Sequence, residues 1–351
     1  MRNVQGAAMA RYWPVLKARE GEFKALGKLR DHDVSRIHPL FEVNPSGDGP
    51  TKAGLNFVRK IREAAPAGLV LGVDTTYVRV NDDGQPLIRE IANDLAQWGI
   101  PIAPVIRLHD SDEHLSACGE AARLHNETAI VRLGSDTTDP DPVADAPRIS
   151  RALSIAKIST DRCHLVVDMA EVSSDRDVSR AELAVRNVLD SLDSQGWASI
   201  VVVSGAMPSA ISTLPRNEAT PLTRWDWKLW KRLADRSPDF GDYAIAHPAL
   251  PGTGARGPLP SLRYTASDNW WIYRWARYET GGNDSFYDLC QALVASGHWP
   301  AEGSDFSWGD SELARCARRQ PGPGGATQWR AWGTSHHLTH VMGELASPPA
   351  S

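Results

Sequence analysis

The chain has 351 residues, 38 basic and 43 acidic side chains and a net charge of −5, long enough to bury a large core in one domain or two. Its charges are interspersed rather than run together, so composition writes in no polyanion-binding surface and nucleic acid is a poor fit as a partner. No apolar run approaches a membrane span, no basic-then-apolar leader opens the chain, and Cys118, Cys163, Cys290 and Cys316 lack zinc spacing; these point to a soluble cytoplasmic protein with reduced thiols.

After a small, polar start (1–10), residues 12–17 read as a strand, and 21–30 carry Phe23, Leu26 and Leu29 at helical spacing. A second strand at 37–43 leads through a Gly/Pro loop to a helix at 55–65. A third strand (69–74) precedes a helix at 87–98 that Gly99 stops. The fourth strand (102–107) and helix (113–125) are followed by a fifth strand (128–133) and an acidic, proline-rich loop (136–147). Residues 150–204 hold the clearest unit: a helix at 151–159, an apolar strand ending in Asp168, an amphipathic helix at 180–194 and an apolar strand at 199–203. Continuous apolar runs of this kind mark parallel strands buried on both faces. A seventh helix (225–234) and a short eighth strand (243–247) complete the pattern.

Eight strands alternating with seven helices predict an α/β fold, a (β/α)8 TIM-like barrel. The rival, an open doubly wound sheet, calls for a glycine-rich turn after its first strand, and Lys17-Ala-Arg-Glu-Gly-Glu22 is none. Pro14, Pro39 and Pro104 within strands count against the barrel unless they mark strand starts or bulges. The barrel is expected to occupy 1–260. Residues 261–351, with helices at 285–296, 309–319 and 334–345, are expected to form an aromatic-rich, mainly helical extension packed on one end.

On this reading Lys17, Glu42, Asp74, Arg107, Arg132, Asp168, Ser204 and the Asp242/His247 region end successive strands and converge on the face where barrel enzymes work. A polar residue often ends a strand only because the strand leaves the core there. Three acids beside three bases either neutralise one another or serve an anionic ligand, with Lys17, Arg107 and Arg132 holding it and Glu42, Asp74 or Asp168 supplying acid/base or divalent-metal chemistry. Other motifs are weaker. The GxGxxG match at 252–257 lies between prolines and opens no helix, so it reads as a flexible turn. His336 and His340 have the i, i+4 spacing of a two-histidine metal site, without the glutamate of HExxH. The Trp and Arg mixture at 270–277 fits a base-stacking platform or, more commonly, packing.

Several blocks in order, Tyr12-Trp-Pro-Val-Leu-Lys-Ala-Arg-Glu-Gly-Glu-Phe, Phe240-Gly-Asp-Tyr-Ala-Ile-Ala-His-Pro, Leu262-Arg-Tyr-Thr, Phe306-Ser-Trp-Gly-Asp, Ala326-Thr-Gln-Trp-Arg and His336-His-Leu-Thr, resemble the phage Beta protein family over nearly the whole chain. The chain departs from that pattern at Glu279-Thr-Gly-Gly282. The resemblance implies a phage or satellite-prophage setting near phage-exclusion or toxin–antitoxin genes, and it carries over no catalytic residues. Its blocks include Lys17, Asp242, Arg263, Tyr264, His336 and His337, which join the candidate ligand-binding set.

Two functional readings follow. In one, the charged barrel face, with Lys17, Arg107, Arg132 and Arg263 as anion holders, takes an anionic small molecule or nucleotide-like ligand within a phage-defence system. In the other, the barrel is a scaffold, and exposed tryptophans beyond residue 262 bind or neutralise a partner protein.

Overall fold

The computed structural model describes residues 10–135, 139–250, 258–320 and 322–346. Residues 1–9, the glycine motif at 252–257 and the tail at 348–351 lie outside the described residues. The strands are β1 (Tyr12–Leu16), β2 (Leu40–Glu42), β3 (Leu71–Asp74), β4 (Ile102–Ile106), β5 (Ala129–Gly134), β6 (Cys163–Glu171), β7 (Ser199–Gly205) and, after β8 (Glu218–Thr223) in a separate sheet, β9 (Asp239–Asp242). All but β8 form a closed parallel barrel in the order β1-β2-β3-β4-β5-β6-β7-β9, with β9 returning to β1. The helices α1 (Glu20–Leu26), α2 (Pro50–Ala64), α3 (Leu87–Ala96), α4 (Asp112–Leu124), α5 (Pro142–Ala156), α6 (Asp175–Leu192) and α7 (Trp225–Arg232) alternate with them. The fold is therefore the (β/α)8 barrel.

The prolines fit because of where they fall in the ladder. β1 pairs with β9 through Tyr12–Pro14 and with β2 from Val15 onward. In the same way β4 pairs with β3 up to Pro104 and with β5 from Val105. Each proline stands where its strand changes partner, so the missing N–H removes little from the ladder. Pro39 immediately precedes β2.

The eighth barrel strand lies upstream of the expected 243–247. Gly241 permits this, since a Cβ there would come 2.5 Å from Val203 Cγ2 and 2.9 Å from the Trp13 carbonyl oxygen. The apolar run that suggested a strand at 243–247 instead turns over the barrel rim, with Ala244 in the left-handed region at φ 47°. Helix α5 also starts earlier than expected, inside the supposed loop, because Asp141 caps it by accepting from the Val143 and Ala144 amides.

The C-terminal region contains β10 (Ser261–Ala266), β11 (Asn269–Arg274), α8 (Ser285–Val294), α9 (Trp308–Ala317) and α10 (Ala326–Ala346). The sequence reading placed no strands here. β10 and β11 form an antiparallel hairpin, and β8 pairs with β11 to make a three-stranded sheet. Alternate residues of the hairpin, Leu262 with Tyr264 and Trp270 with Ile272, are buried. Helix α10 begins at Ala326 rather than 334 and runs along the barrel's β1–α1 corner, where the Gly21 position has no room for a side chain: a Cβ would lie 2.8 Å from the Thr327 oxygen.

Candidate ligand site at the barrel mouth

Strand alternation decides which strand-end residues enter the barrel. Trp13 and Val15 on β1, Leu40 on β2, Val105 on β4, Ile130 on β5, Val166 on β6 and Val203 on β7 form its apolar interior. Two residues further along come Lys17, Glu42, Arg107, Arg132 and Asp168, with Asp74 closing β3; these make one charged layer above the apolar one. Arg132 is its hub. Its Nε and Nη2 donate to Asp168 Oδ2 at 2.9 and 2.6 Å, Nη1 to Asp74 Oδ2 at 2.9 Å, and Nη2 to Glu42 Oε1 at 2.9 Å. Arg107 Nη2 donates to Asp74 Oδ2 at 2.8 Å, Lys17 Nζ to Glu42 and the Pro248 carbonyl, and Tyr243 Oη to Asp168 Oδ2 at 2.7 Å.

None of the six charged residues is more than 5% exposed. Burial works against the ionised form of Asp74, yet Arg107 and Arg132 hold its carboxyl well below the usual carboxylate range. Burial also pulls the Lys17 ammonium down, opposed by Glu42. Three acids and three bases cancel, so this layer is a self-neutralised plug. The carboxylates that suggested a metal site are all spent on cations, and among the described residues no group of three or more His, Cys, Asp or Glu side chains is arranged to hold a metal ion.

Asp242 sits outside the plug, because Gly241 and Tyr243 take the inward positions of that strand. It faces the C-terminal region instead, accepting from Tyr12 Oη at 2.7 Å and from His337 Nε2 at 2.8 Å. His337 Nδ1 lies 2.7 Å from Thr265 Oγ1. Burial lowers the His337 pKa against the pull of Asp242, so the neutral ring donates through Nε2 and accepts from Thr265. Next to it His336 stacks on Tyr264 at 3.7 Å, contacts Asp310 Oδ2 through Nδ1 at 2.9 Å and meets the Thr265 carbonyl through Nε2 at 2.8 Å. Both His336 ring nitrogens are committed to protein acceptors. His340 Nε2 lies 3.4 Å from Glu344, so the i, i+4 pair serves the seam between barrel and extension. Tyr264, His336 and His337 thus lie in the buried seam between barrel and extension, apart from the charged layer.

Arg263 is different. It lines a cavity of about 50 Å³ with Lys17, Arg19, Glu22, Ser209, His247 and Arg330. Among the described residues no carboxylate lies within ion-pair distance of Arg19, Arg263 or Arg330, and the buried Nε of Arg263 has no hydrogen-bond partner. Burial, then the neighbouring Arg330 and Arg19, push Arg263 down to about 10. Arg330 is lowered by burial and by Arg19; Arg19 is lowered by burial, with Glu22 opposing. Two close approaches bring the three together. Gly21 lets α1 touch α10, a Cβ there lying 3.0 Å from Arg330 Cβ, and Gly333 lets β10 touch α10, its Cβ lying 2.9 Å from the Arg263 carbonyl. Sequence reasoning named Lys17 and Arg263 but missed Arg19, Glu22 and Arg330, although all three lie within the blocks that carry the family resemblance.

A larger hollow of about 520 Å³ beside α5 is lined by Ile149, Leu153, Lys157 and small hydroxyl side chains. It offers one charge and lies near the start of β6, at the end of the barrel opposite the plug. The tryptophans beyond residue 262 are not a free aromatic surface. Trp270, Trp329 and Trp332 are at most 4% exposed, the others in the described residues are half-buried, and Trp270 stacks on His337 at 4.7 Å. Among the described residues no helix is long and apolar enough to cross a membrane.

A family model described as Beta protein matches residues 12–343. No curated protein matches the chain. Among solved structures, a type I 3-dehydroquinate dehydratase from Clostridium difficile is similar at 14% identity and a TM-score of 0.39, covering 58% of this chain and 78% of its own. The biosynthetic arginine decarboxylase of Campylobacter jejuni is similar at 12% identity and 0.36, covering 95% of this chain and 56% of its own. A spore coat polysaccharide biosynthesis protein of Bacillus subtilis is similar at 10% and 0.34, covering 76% and 85%.

Proposed function

We propose, for a chain that belongs to the Beta protein family, that the barrel mouth binds an anionic small molecule in the cavity of Arg19, Arg263 and Arg330. One observation carries this reading: three arginines from three elements face one cavity, and among the described residues no carboxylate lies in ion-pair range of them. The three are half-buried, and cations withdrawn even partly from water are ordinarily paired, because desolvating an unpaired charge is costly. A cluster left unpaired at the mouth of a barrel, the end where barrel ligands bind, is a site whose counter-charge arrives with the ligand. Lys17 is the one plug residue that also lines this cavity, so any chemistry the plug performs on a ligand passes through it. In the phage-defence or toxin–antitoxin setting that the family resemblance implies, the pocket is the ligand-sensing part of the protein.

The test is thermal denaturation against phosphate, sulfate, nucleotides and carboxylates, with Arg263→Gln as control. A ligand of the folded state raises the midpoint with the logarithm of its concentration over its dissociation constant. The reading requires a rise that Arg263→Gln abolishes; no rise with any anion rejects it. The scaffold reading, which needs exposed tryptophans, has no such surface in the described C-terminal region.

A further inference from the structure

We infer that the group this cavity receives is a single phosphoryl dianion, the terminal phosphate of a phosphorylated small molecule, gripped from the barrel and the C-terminal region together; the inference rests on the anion-binding reading above.

Charge, size and direction each narrow the ligand. Arg19, Arg263 and Arg330 face one carboxylate, Glu22, whose Oε2 already accepts the Arg19 amide at 2.9 Å. Three cations against one anion leave two positive charges. A phosphate monoester, near −2 at neutral pH, answers both, whereas a carboxylate answers one. The cavity of about 50 Å³ has room for roughly four water-sized atoms, which suits a phosphoryl group. The rest of the molecule therefore lies outward, past Ser209 and His247. Guanidinium groups bind oxyanions through forked pairs of N–H donors. Here they come from the loop before α1, from β10 and from α10, so they converge from separate elements, as a tetrahedral oxyanion offers its oxygens. A planar carboxylate presents its two oxygens in a single plane.

The other titratable groups at the cavity are Lys17, Glu22 and His247. His247 accepts the Ala249 amide through Nδ1 at 3.0 Å, and its Nε2 lies 3.3 Å from Glu171. Burial raises the pKa of the Glu22 carboxyl, and its protonation at low pH favours every anion alike. Loss of the second phosphate proton, with a pKa near 6, acts on phosphate alone and in the opposite direction.

Calorimetric titration of the full chain with glycerol phosphate, sulfate and acetate at pH 5 and pH 7.5 separates these effects. The affinity ratio of glycerol phosphate to sulfate should rise about tenfold between the two pH values, following the dianion fraction, and acetate should bind at least tenfold more weakly than either. Arg263→Gln and Arg330→Gln should each lower glycerol phosphate affinity at least tenfold. If none of the three anions binds, the anion-binding reading itself falls. If sulfate or acetate binds but the phosphate ratio stays flat with pH, or acetate equals phosphate, the phosphoryl assignment is overturned while the anion reading stands.

Discussion

Two groups of basic side chains lie within the same barrel mouth and have opposite characters. Arg107, Arg132 and Lys17 are surrounded by Asp74, Asp168 and Glu42, with an N–O distance of 2.6 Å between Arg132 and Asp168. Arg19, Arg263 and Arg330 repel one another across a cavity with Glu22 as the sole carboxylate in its lining among the described residues. The first group has its counter-charges within the fold; on the proposed reading the second receives its own from a ligand. Counting charges at strand ends cannot tell these apart, because the difference lies in compensation.

The largest effect that tests this contrast comes from breaking the plug. Asp168→Ala leaves Arg132 and Tyr243 without a shared acceptor, and removing one partner of a buried ion pair costs about 3–5 kcal/mol. Urea unfolding should show this loss, and joint replacement of Arg132 and Asp168 by apolar residues of similar size should recover much of it. A loss under about 1 kcal/mol would mean that the layer is wetter and looser than a plug.

Next in size are the glycines that bring the arginines together. Gly333→Ala places a Cβ 2.9 Å from the Arg263 carbonyl and 3.3 Å from Ile245 Cδ1. Overpacking of this kind costs about 1–3 kcal/mol, and it should separate Arg263 from Arg330. Lower stability together with weaker anion binding is expected. Reduced stability with unchanged binding would detach the cavity from this contact.

The seam also holds a pair that geometry leaves incomplete. Arg224 donates through Nη1 to Glu344 at 2.6 Å, but its Nε and Nη2 and both Asp226 carboxylate oxygens have no side-chain hydrogen-bond partner among the described residues. Burial, against the attraction of Arg224 and with the repulsion of Asp242, pushes Asp226 up to about 7. Because the folded value lies above the ordinary 3.8, Asp226 favours folding most below pH 4, and that contribution is lost as pH rises toward 7. Asp226→Asn should therefore raise stability at pH 7.5 by on the order of 1–3 kcal/mol and flatten the decline between pH 4 and 7. Asp74 and His337, whose values are lowered, act the other way: their contributions are present at neutral pH and fade on acidification. An Asp226→Asn profile parallel to that of the parent protein would refute this account.

The barrel was legible because its strands are buried on both faces. Residues 163–171 and 199–205 are near-continuous apolar runs, and nothing but a parallel sheet uses many of them in alternation with helices. The inward position of Lys17, Glu42, Arg132 and Asp168 follows from a two-residue step beyond Val15, Leu40, Ile130 and Val166. Strand β9 was misplaced because Asp239-Phe-Gly-Asp242 looks less like a strand than the apolar residues after it, and the decisive property of Gly241 is the space it leaves. The C-terminal sheet went unseen since β8 and β11 are separated by a barrel strand and α7. Arg19 and Arg330 could not be joined from sequence, because their meeting depends on contact between α1 and α10 at Gly21, and one-dimensional periodicity carries no information on which helices touch.

The smallest expected effect is also the sharpest contrast with the plug. In the absence of ligand, Arg263→Gln removes a charge that burial and two neighbouring arginines disfavour, and it leaves no carboxylate without its partner. Stability should stay level or rise by about 0.5 kcal/mol, the scale of weakly compensated near-surface charges, corresponding to a midpoint shift of about 1–2 °C. The comparison variant, Arg132→Gln, takes from Asp168 its cation while Asp74 keeps Arg107 and Glu42 keeps Lys17, and it should fall by several kcal/mol. Added phosphate should reverse the order at the cavity alone: the parent midpoint climbs with phosphate concentration, the Arg263→Gln midpoint does not, and the two melting curves cross. If Arg263→Gln is as destabilising as Arg132→Gln in the empty protein, Arg263 already has its counter-charge within the fold, and the two clusters are one kind of structure after all.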